Sequence, residues 1–368
     1  MFIKRGQMKD NTSFLAATIG SLPHKDSKEA VNLVFEILKD IPVLPQLANV
    51  NRKEDMTSNL NERIPGIIFD EEDNRWYMDQ ESETFFEELE EFYLDYESIV
   101  NEGNQELLEK YAISEKHCSA MPLFLEKLQE TKPNFVKGQI IGPFTFGTSI
   151  TDRDKKCIFY DETLREIMVK ALTLKALWMV KKFREASPES QPIIFMDEPS
   201  VSQYGTSAFI TVKKEDVVGV FKEITSILQN AGALIGIHCC GKSDWSLITE
   251  SQVNILNFDG FYFAESLGLY PAEIGNFLKN GGKIAWGIVP TMDADALEAS
   301  TVDSLVAKYE EAISYLLNKG FDKNLIYDST IITPACGAGS LTVKQAERVM
   351  RLTTELADSL RVQYTVKR

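Results

Sequence analysis

Short apolar, β-branched runs alternate along this chain with longer stretches whose apolar residues recur three and four apart, the pattern of βα units built on a parallel sheet. Eight such runs occur, at residues 15–20, 42–46, 135–141, 193–197, 233–238, 255–259, 284–289 and 325–328. Helical spacing fills residues 163–186, 215–230, 304–318 and 343–357 between or after them. Eight strands linked by helices predict an α/β protein of the (β/α)8 TIM-barrel class. The spacing is regular from Phe135 onward, whereas residues 49–134 are too long for one crossover. Within them, Pro65-Gly66-Ile67-Ile68-Phe69-Asp70 and Arg75-Trp76-Tyr77 predict a β-hairpin. Phe85, Phe86, Leu89, Phe92, Tyr93 and Tyr96 then predict an acidic amphipathic helix lying against the barrel. With no repeat, low-complexity tract or linker in view, residues 1–368 are expected to form one barrel domain with an insertion at about 49–134, after the second strand.

Charge narrows the partners. A net charge of -16, from 55 acidic and 39 basic residues, opposes both a nucleic-acid backbone and an anionic membrane surface. No run approaches the ~20 apolar residues of a spanning helix, and Met1-Phe2-Ile3-Lys4-Arg5 lacks the apolar core of a signal peptide. A cytoplasmic protein acting on small molecules is expected. Five cysteines in a chain of this size then suggest metal binding or burial in preference to a disulfide framework.

In a TIM barrel the chemistry sits at the carboxyl ends of the strands. Those ends supply Gly20-Ser21, Gly142-Pro143, Asp197-Glu198-Pro199, His238-Cys239-Cys240, Asp259, Pro290-Thr291 and Cys336-Gly337. Alternation along a strand sends His238 and Cys240 to one face and Cys239 to the other. Imidazole and thiolate suit zinc, and a site with three protein ligands leaves a fourth position for substrate. Cys336, between Pro334 and Gly337, is placed to approach the same mouth, while Asp259 and Glu265 compete as a fourth ligand, with Asp259 favoured because it ends a strand. A single His or Cys on an apolar strand is more often a plain core residue; here the conjunction raises the metal reading. Asp197 and Glu198 read either as a helix cap or salt bridge, or as carboxylates receiving an amine. Gly20-Ser21 can offer backbone N–H groups to a carboxylate. Cys118 and Cys157 lie away from the strand ends and take no role.

Assembled in order, Thr18-Ile19-Gly20-Ser21-Leu22-Pro23, Asn51-Arg52-Lys53-Glu54-Asp55-Met56, Gly142-Pro143-Phe144-Thr145, Met196-Asp197-Glu198-Pro199, His238-Cys239-Cys240-Gly241 and Pro334-Ala335-Cys336-Gly337 resemble the catalytic domain of cobalamin-independent methionine synthase. The wider superfamily holds uroporphyrinogen decarboxylase and corrinoid-dependent methyltransferases. The similarity runs from about Ala16 to Arg351. It implies a (β/α)8 barrel, zinc held by His238, Cys240, Cys336 and Asp259, and an amino-acid substrate held by Ile19, Gly20, Ser21 and Asp197. The implied activity is methyl transfer to a zinc-activated thiol, homocysteine or a relative, as in methionine biosynthesis. Departures from the family are specific. Asp259 stands where the family has Glu, a substrate-holding glutamate is replaced near Asn49, and the leaving-group histidine has no counterpart in Ile288-Val289-Pro290-Thr291-Met292-Asp293. The folate-binding amino-terminal barrel of the synthases has no counterpart in these 368 residues, so the methyl donor is expected to be a corrinoid protein or a folate. A non-catalytic zinc or thiol-binding protein and a uroporphyrinogen decarboxylase-like enzyme are the alternatives; the second would need an arginine-rich mouth, which these strand ends do not offer.

Overall fold

The computed structural model describes residues 12–365 except Asn74. The stretch on which the signal-peptide expectation rests, Met1 to Arg5, lies outside the described residues. Ten strands occur among them: β1 (Leu15–Ala16), β2 (Ile67–Asp70), β3 (Arg75–Met78), β4 (Phe135–Ile141), β5 (Thr151–Asp152), β6 (Gln191–Asp197), β7 (Leu234–Cys239), β8 (Ile255–Phe258), β9 (Lys283–Val289) and β10 (Thr330–Pro334). Seven form one parallel sheet in the order β1-β10-β9-β8-β7-β6-β4, wrapped in helices as in a TIM barrel. Strands β4, β6, β7, β8 and β10 are buried at nearly every position, as a sheet covered on both faces requires.

The ladder does not continue regularly round the ring. Between its edge strands β1 and β4, the run 42–46 makes only isolated parallel bridges, Val43 with Lys137 and Ser21 with Gln46. Four backbone hydrogen bonds accompany them: Lys137 N to Pro42 O, Leu44 N to Lys137 O, Gln46 N to Gly20 O and Leu22 N to Gln46 O. Pro42 and Pro45 have no N–H to give to a ladder, which accounts for the interruption.

A second departure concerns the last strand. Residues 325–328, expected to be extended, belong to the helix Lys323–Asp328, and the strand is Thr330–Pro334. Asp322 accounts for the shift: its carboxylate accepts from Leu325 N at 2.9 Å, starting a helical turn through the apolar run. The β-branched Thr330-Ile331-Ile332-Thr333 then takes the extended role.

The expected hairpin is present, with Ile67 paired to Met78 and Asp70 to Arg75. Its third partner is β5, parallel to β3, so the hairpin is tied to the segment following β4. The acidic helix Phe85–Val100 buries Phe85, Phe92, Tyr96 and Ile99, which join the same apolar cluster as the barrel strands. The helices Glu162–Ala186, Lys214–Asn230 and Val302–Leu317 fall close to their expected bounds, and the final one, Val343–Thr365, runs eight residues past the expected 357. No helix among the described residues is long and apolar enough to cross a membrane.

Candidate metal centre

Strand register brings the polar side chains together. Asp197 is the Cα partner of His238, His238 of Asn257, and Asn257 of Ala285, so four neighbouring strands present one row at the same height. Ligand atoms of His238, Cys240 and Cys336 lie within 4.8 Å of one another. His238 and Cys240 share a strand face, as alternation dictates. Cys239 is fully buried on the other side, its sulfur 3.7 Å from Gly241 O and its thiol pushed up to about 12 by burial.

Cys336 reaches the cluster through an irregularity. The β9–β10 register shifts between Thr333 and Pro334, so Thr333 faces Gly287 but Pro334 faces Val289. This bulge turns the chain toward the mouth. A Cβ at Gly287 would stand 2.4 Å from Phe258 O and 2.8 Å from Ala335 Cα, so the close approach of these backbones requires glycine.

The imidazole is held in one orientation. Asn257 Nδ2 donates to Ala285 O and to Thr333 Oγ1, both at 2.8 Å. A carbonyl only accepts, so the Asn257 amide is fixed with Oδ1 toward His238 Nδ1, 2.6 Å away. Nδ1 therefore carries a proton, and Nε2, buried and without a hydrogen-bond partner, faces the thiols. An imidazole anchored through one nitrogen and open at the other is the arrangement metal-binding histidines require.

The two sulfurs share one negative charge in the absence of a metal. The closeness of Cys336 and then of His238 brings the Cys240 thiol down to about 4, while the same neighbourhood of Cys240 drives the Cys336 thiol up. Burial disfavours a charged His238, but Cys240 and Asp197 outweigh it and raise its pKa. Two sulfurs and an open imidazole nitrogen at this spacing fit a zinc ion.

Asp259 lies outside this three-residue cluster. Its Oδ1 accepts from Tyr262 N at 2.9 Å, capping the short helix Gly260–Phe263, and burial raises its carboxyl to about 6. Glu265 is bound by Lys242 at 2.8 Å, which lowers its carboxyl.

On the other side of the mouth, the neighbouring acids of Asp197-Glu198-Pro199 have different roles. Both Glu198 oxygens are used: Oε1 accepts from Phe144 N at 2.8 Å, and Oε2 from Thr145 N at 2.9 Å and Thr145 Oγ1 at 2.7 Å. Glu198 thus joins β6 to the start of the helix Pro143–Ser149. Asp197, 7% exposed, has an Oδ1 with no partner, and burial raises its carboxyl to about 6 against the opposing pull of Lys137 and His238.

Lys137 and Gln139 escape the sequence reading. Lys137, 1% exposed, donates to Ile19 O at 2.5 Å, lies 3.4 Å from Gln139 Oε1 and sits over the Phe195 ring at 4.4 Å. Gln139 Nε2 donates to Leu44 O at 2.9 Å. Gly20 takes φ +140°, and a Cβ there would meet the Gln139 amide at 2.5 Å. Ile19, Gly20 and Ser21 are thereby held so that their N–H groups donate to no protein acceptor among the described residues. The turn also adjoins Cys336: Ala338 N donates to Ser21 O, and a Cβ on Gly337 would stand 2.0 Å from Ser21 Oγ. A visible signal existed, since Lys137 and Gln139 are the polar residues at alternate positions of a buried strand. Asn49 donates to Pro23 O at 3.1 Å, and Thr291, just past β9, has a buried hydroxyl without a partner among the described residues.

Comparison with solved structures finds the same fold in a B12-independent methionine synthase from Shewanella sp. W3-18-1, determined in complex with selenomethionine. The superposition has a TM-score of 0.58 at 13% identity and covers 96% of this chain and 100% of that one. No family model and no curated protein sequence matches the chain.

Proposed function

We propose that this chain is a zinc-dependent methyltransferase-like enzyme that moves a methyl group to a thiol, homocysteine or a relative, in the manner of methionine synthase. One observation carries the reading: His238, Cys240 and Cys336 converge within 4.8 Å, with His238 Nε2 left open by the Asn257 anchor. We read the run 42–46 as the eighth stave of a (β/α)8 barrel, and residues 1–368 as one cytoplasmic domain with its insertion at about 49–134.

Zinc held by these residues would act as a Lewis acid that keeps an incoming thiol in its nucleophilic thiolate form. Cys240 is poised to bind without giving up a proton, whereas Cys336 must release one, so metal loading weakens as pH falls. Asp259 would supply the fourth ligand by turning from its helix cap. The open Oδ1 of Asp197 receives the ammonium group of an amino-acid thiol, and the free N–H groups of Ile19, Gly20 and Ser21 receive its carboxylate. Lys137 is a positioning residue that holds the Ile19 carbonyl, and its charge opposes that of Asp197. Fixing both ends of the substrate sets its sulfur in the mouth, the entropic part of catalysis.

The donor follows from what the mouth lacks. The leaving-group histidine has no counterpart in Ile288-Val289-Pro290-Thr291-Met292-Asp293, which favours a donor whose leaving group needs no proton, such as a methylated corrinoid protein, over a methyl-folate. The same absence supports a second reading, a zinc and thiol-binding protein without turnover. Stoichiometric metal analysis combined with a screen of methylcobalamin and methyl-folate against homocysteine separates them. Zinc with methionine formation supports the enzyme, zinc without product the binding protein, and metal-free protein with neither contradicts both.

A further inference from the structure

The insertion holds a cleft of about 400 Å³ with no part in the reading above. That volume lies in the range of small-ligand sites. Three carboxylates line it, and each is already satisfied by the protein. Glu62 accepts from Ser114 N and Oγ, both at 2.9 Å; Glu88 accepts from Gly66 N at 3.0 Å and Thr84 Oγ1 at 2.8 Å; Glu91 pairs with Lys110 at 2.5 Å. Two further lining cations, Lys53 and Arg63, have exposed head groups with no ion pair or hydrogen bond among the described residues. With Lys110 included, the three Lys and Arg head groups of the cleft balance its three carboxylates, so the feature to explain is that Lys53 and Arg63 stand without a direct acidic partner among the described residues.

Two independent observations lie in the same loop. Asn61, 2% exposed and lining the cleft, has neither its Nδ2 nor its Oδ1 hydrogen-bonded. A buried side-chain amide with both groups unpaired is destabilising, so it calls for a partner that accepts or donates. Arg63 is held at φ +63°, a left-handed conformation that non-glycine residues adopt at a cost and that gathers at functional sites. Trp76 completes the cleft; its Nε1 is used by Ser58 Oγ at 3.0 Å, so its ring offers an apolar wall.

We infer that this cleft binds a small carboxylate that also carries an amide group: Arg63 and Lys53 take the carboxylate, Asn61 hydrogen-bonds the amide, and Trp76 packs against the remainder. Of the motif Asn51-Arg52-Lys53-Glu54-Asp55-Met56, Lys53 then serves this second site and not the metal centre.

The test is calorimetric titration of the full chain with hippurate, which has a carboxylate, an amide and a ring; benzoate, which lacks the amide; and inorganic phosphate, which lacks both amide and ring. Hippurate is expected to bind one site with Kd of about 1 mM, the affinity of a ligand its size at ~0.3 kcal/mol per non-hydrogen atom. Benzoate and phosphate are expected to bind at least about tenfold more weakly, the loss of one buried hydrogen-bonded group. Arg63→Gly suits the left-handed backbone and removes the cation, and Asn61→Leu removes the unpaired amide at similar volume. Each is expected to weaken hippurate by about tenfold while leaving the thermal midpoint unchanged or raised. Failure to bind hippurate, binding unaffected by both substitutions, or phosphate binding as tightly as hippurate overturns the assignment. None of these readings involves zinc or a methyl donor, so the metal centre stands or falls separately.

Discussion

The two halves of the barrel mouth are built by different means. On the metal side, β6, β7, β8 and β9 are paired in continuous register, and the backbone alone sets the spacing of Asp197, His238 and Asn257. On the turn side, Ile19-Gly20-Ser21 and residues 42–46 meet through isolated bridges, and side chains of β4 complete the support: Lys137 holds Ile19 O and Gln139 holds Leu44 O. A ladder fixes side-chain positions wherever the strand pattern is right. Support through two side chains is weakened by changing either one. Substitutions on the metal side should therefore act on the ion, and those on the turn side on the thiol's head group and on local stability.

The largest effect is expected from Cys240→Ser or Cys336→Ser, which should lower zinc affinity by more than the ~10–100-fold typical of a change behind the ligands. Competition with a chromophoric chelator measures it, and unchanged affinity in both variants would remove the metal site. Asn257→Leu should cost about 10–100-fold, because Nδ1 loses its acceptor and the ring its tautomer. Lys137→Met should leave zinc in place but weaken homocysteine binding by about tenfold, the worth of one charge-assisted hydrogen bond.

That substitution also has a pH signature. Burial lowers the Lys137 ammonium to about 8, below its ordinary 10.5. Between these values the unfolded chain holds a proton that the folded one has released, so stability from this group is present above 10.5 and lost as pH falls through 8. Urea melts of the parent should gain stability relative to Lys137→Met as pH rises through that window; parallel curves would contradict the assignment. Gly20→Ala should destabilise by about 1–3 kcal/mol, from a disfavoured φ and collision with Gln139. The smallest effect is expected for Asp259→Asn, where the helix cap survives because Asn caps as well as Asp. Zinc affinity should fall by less than about tenfold, since three ligands remain.

The same contrast decides what could be seen in the sequence. His238, Cys240, the hairpin and six of the eight barrel runs were legible because strand alternation and apolar runs are local patterns. Asn257 was not singled out, although it is a lone polar residue in Ile255-Leu256-Asn257-Phe258, because only the inter-strand register shows that it faces His238. The distinct roles of Asp197 and Glu198 depend on the helix that follows β4, a contact more than fifty residues away. Residues 325–328 misled because an apolar run as short as Leu325-Ile326-Tyr327 fits a strand and a helical turn equally, and Asp322 settled it by capping. Lys137 was passed over because its partner, Ile19 O, is a backbone atom 118 residues distant.

The central claim, that His238, Cys240 and Cys336 form a thiol-activating zinc site, is tested most directly by X-ray absorption at the zinc edge of the loaded protein, before and after addition of homocysteine. The account predicts two sulfur ligands with lighter atoms at rest and a third sulfur once homocysteine is added. A spectrum with two sulfurs in both states, or with none at rest, would contradict it.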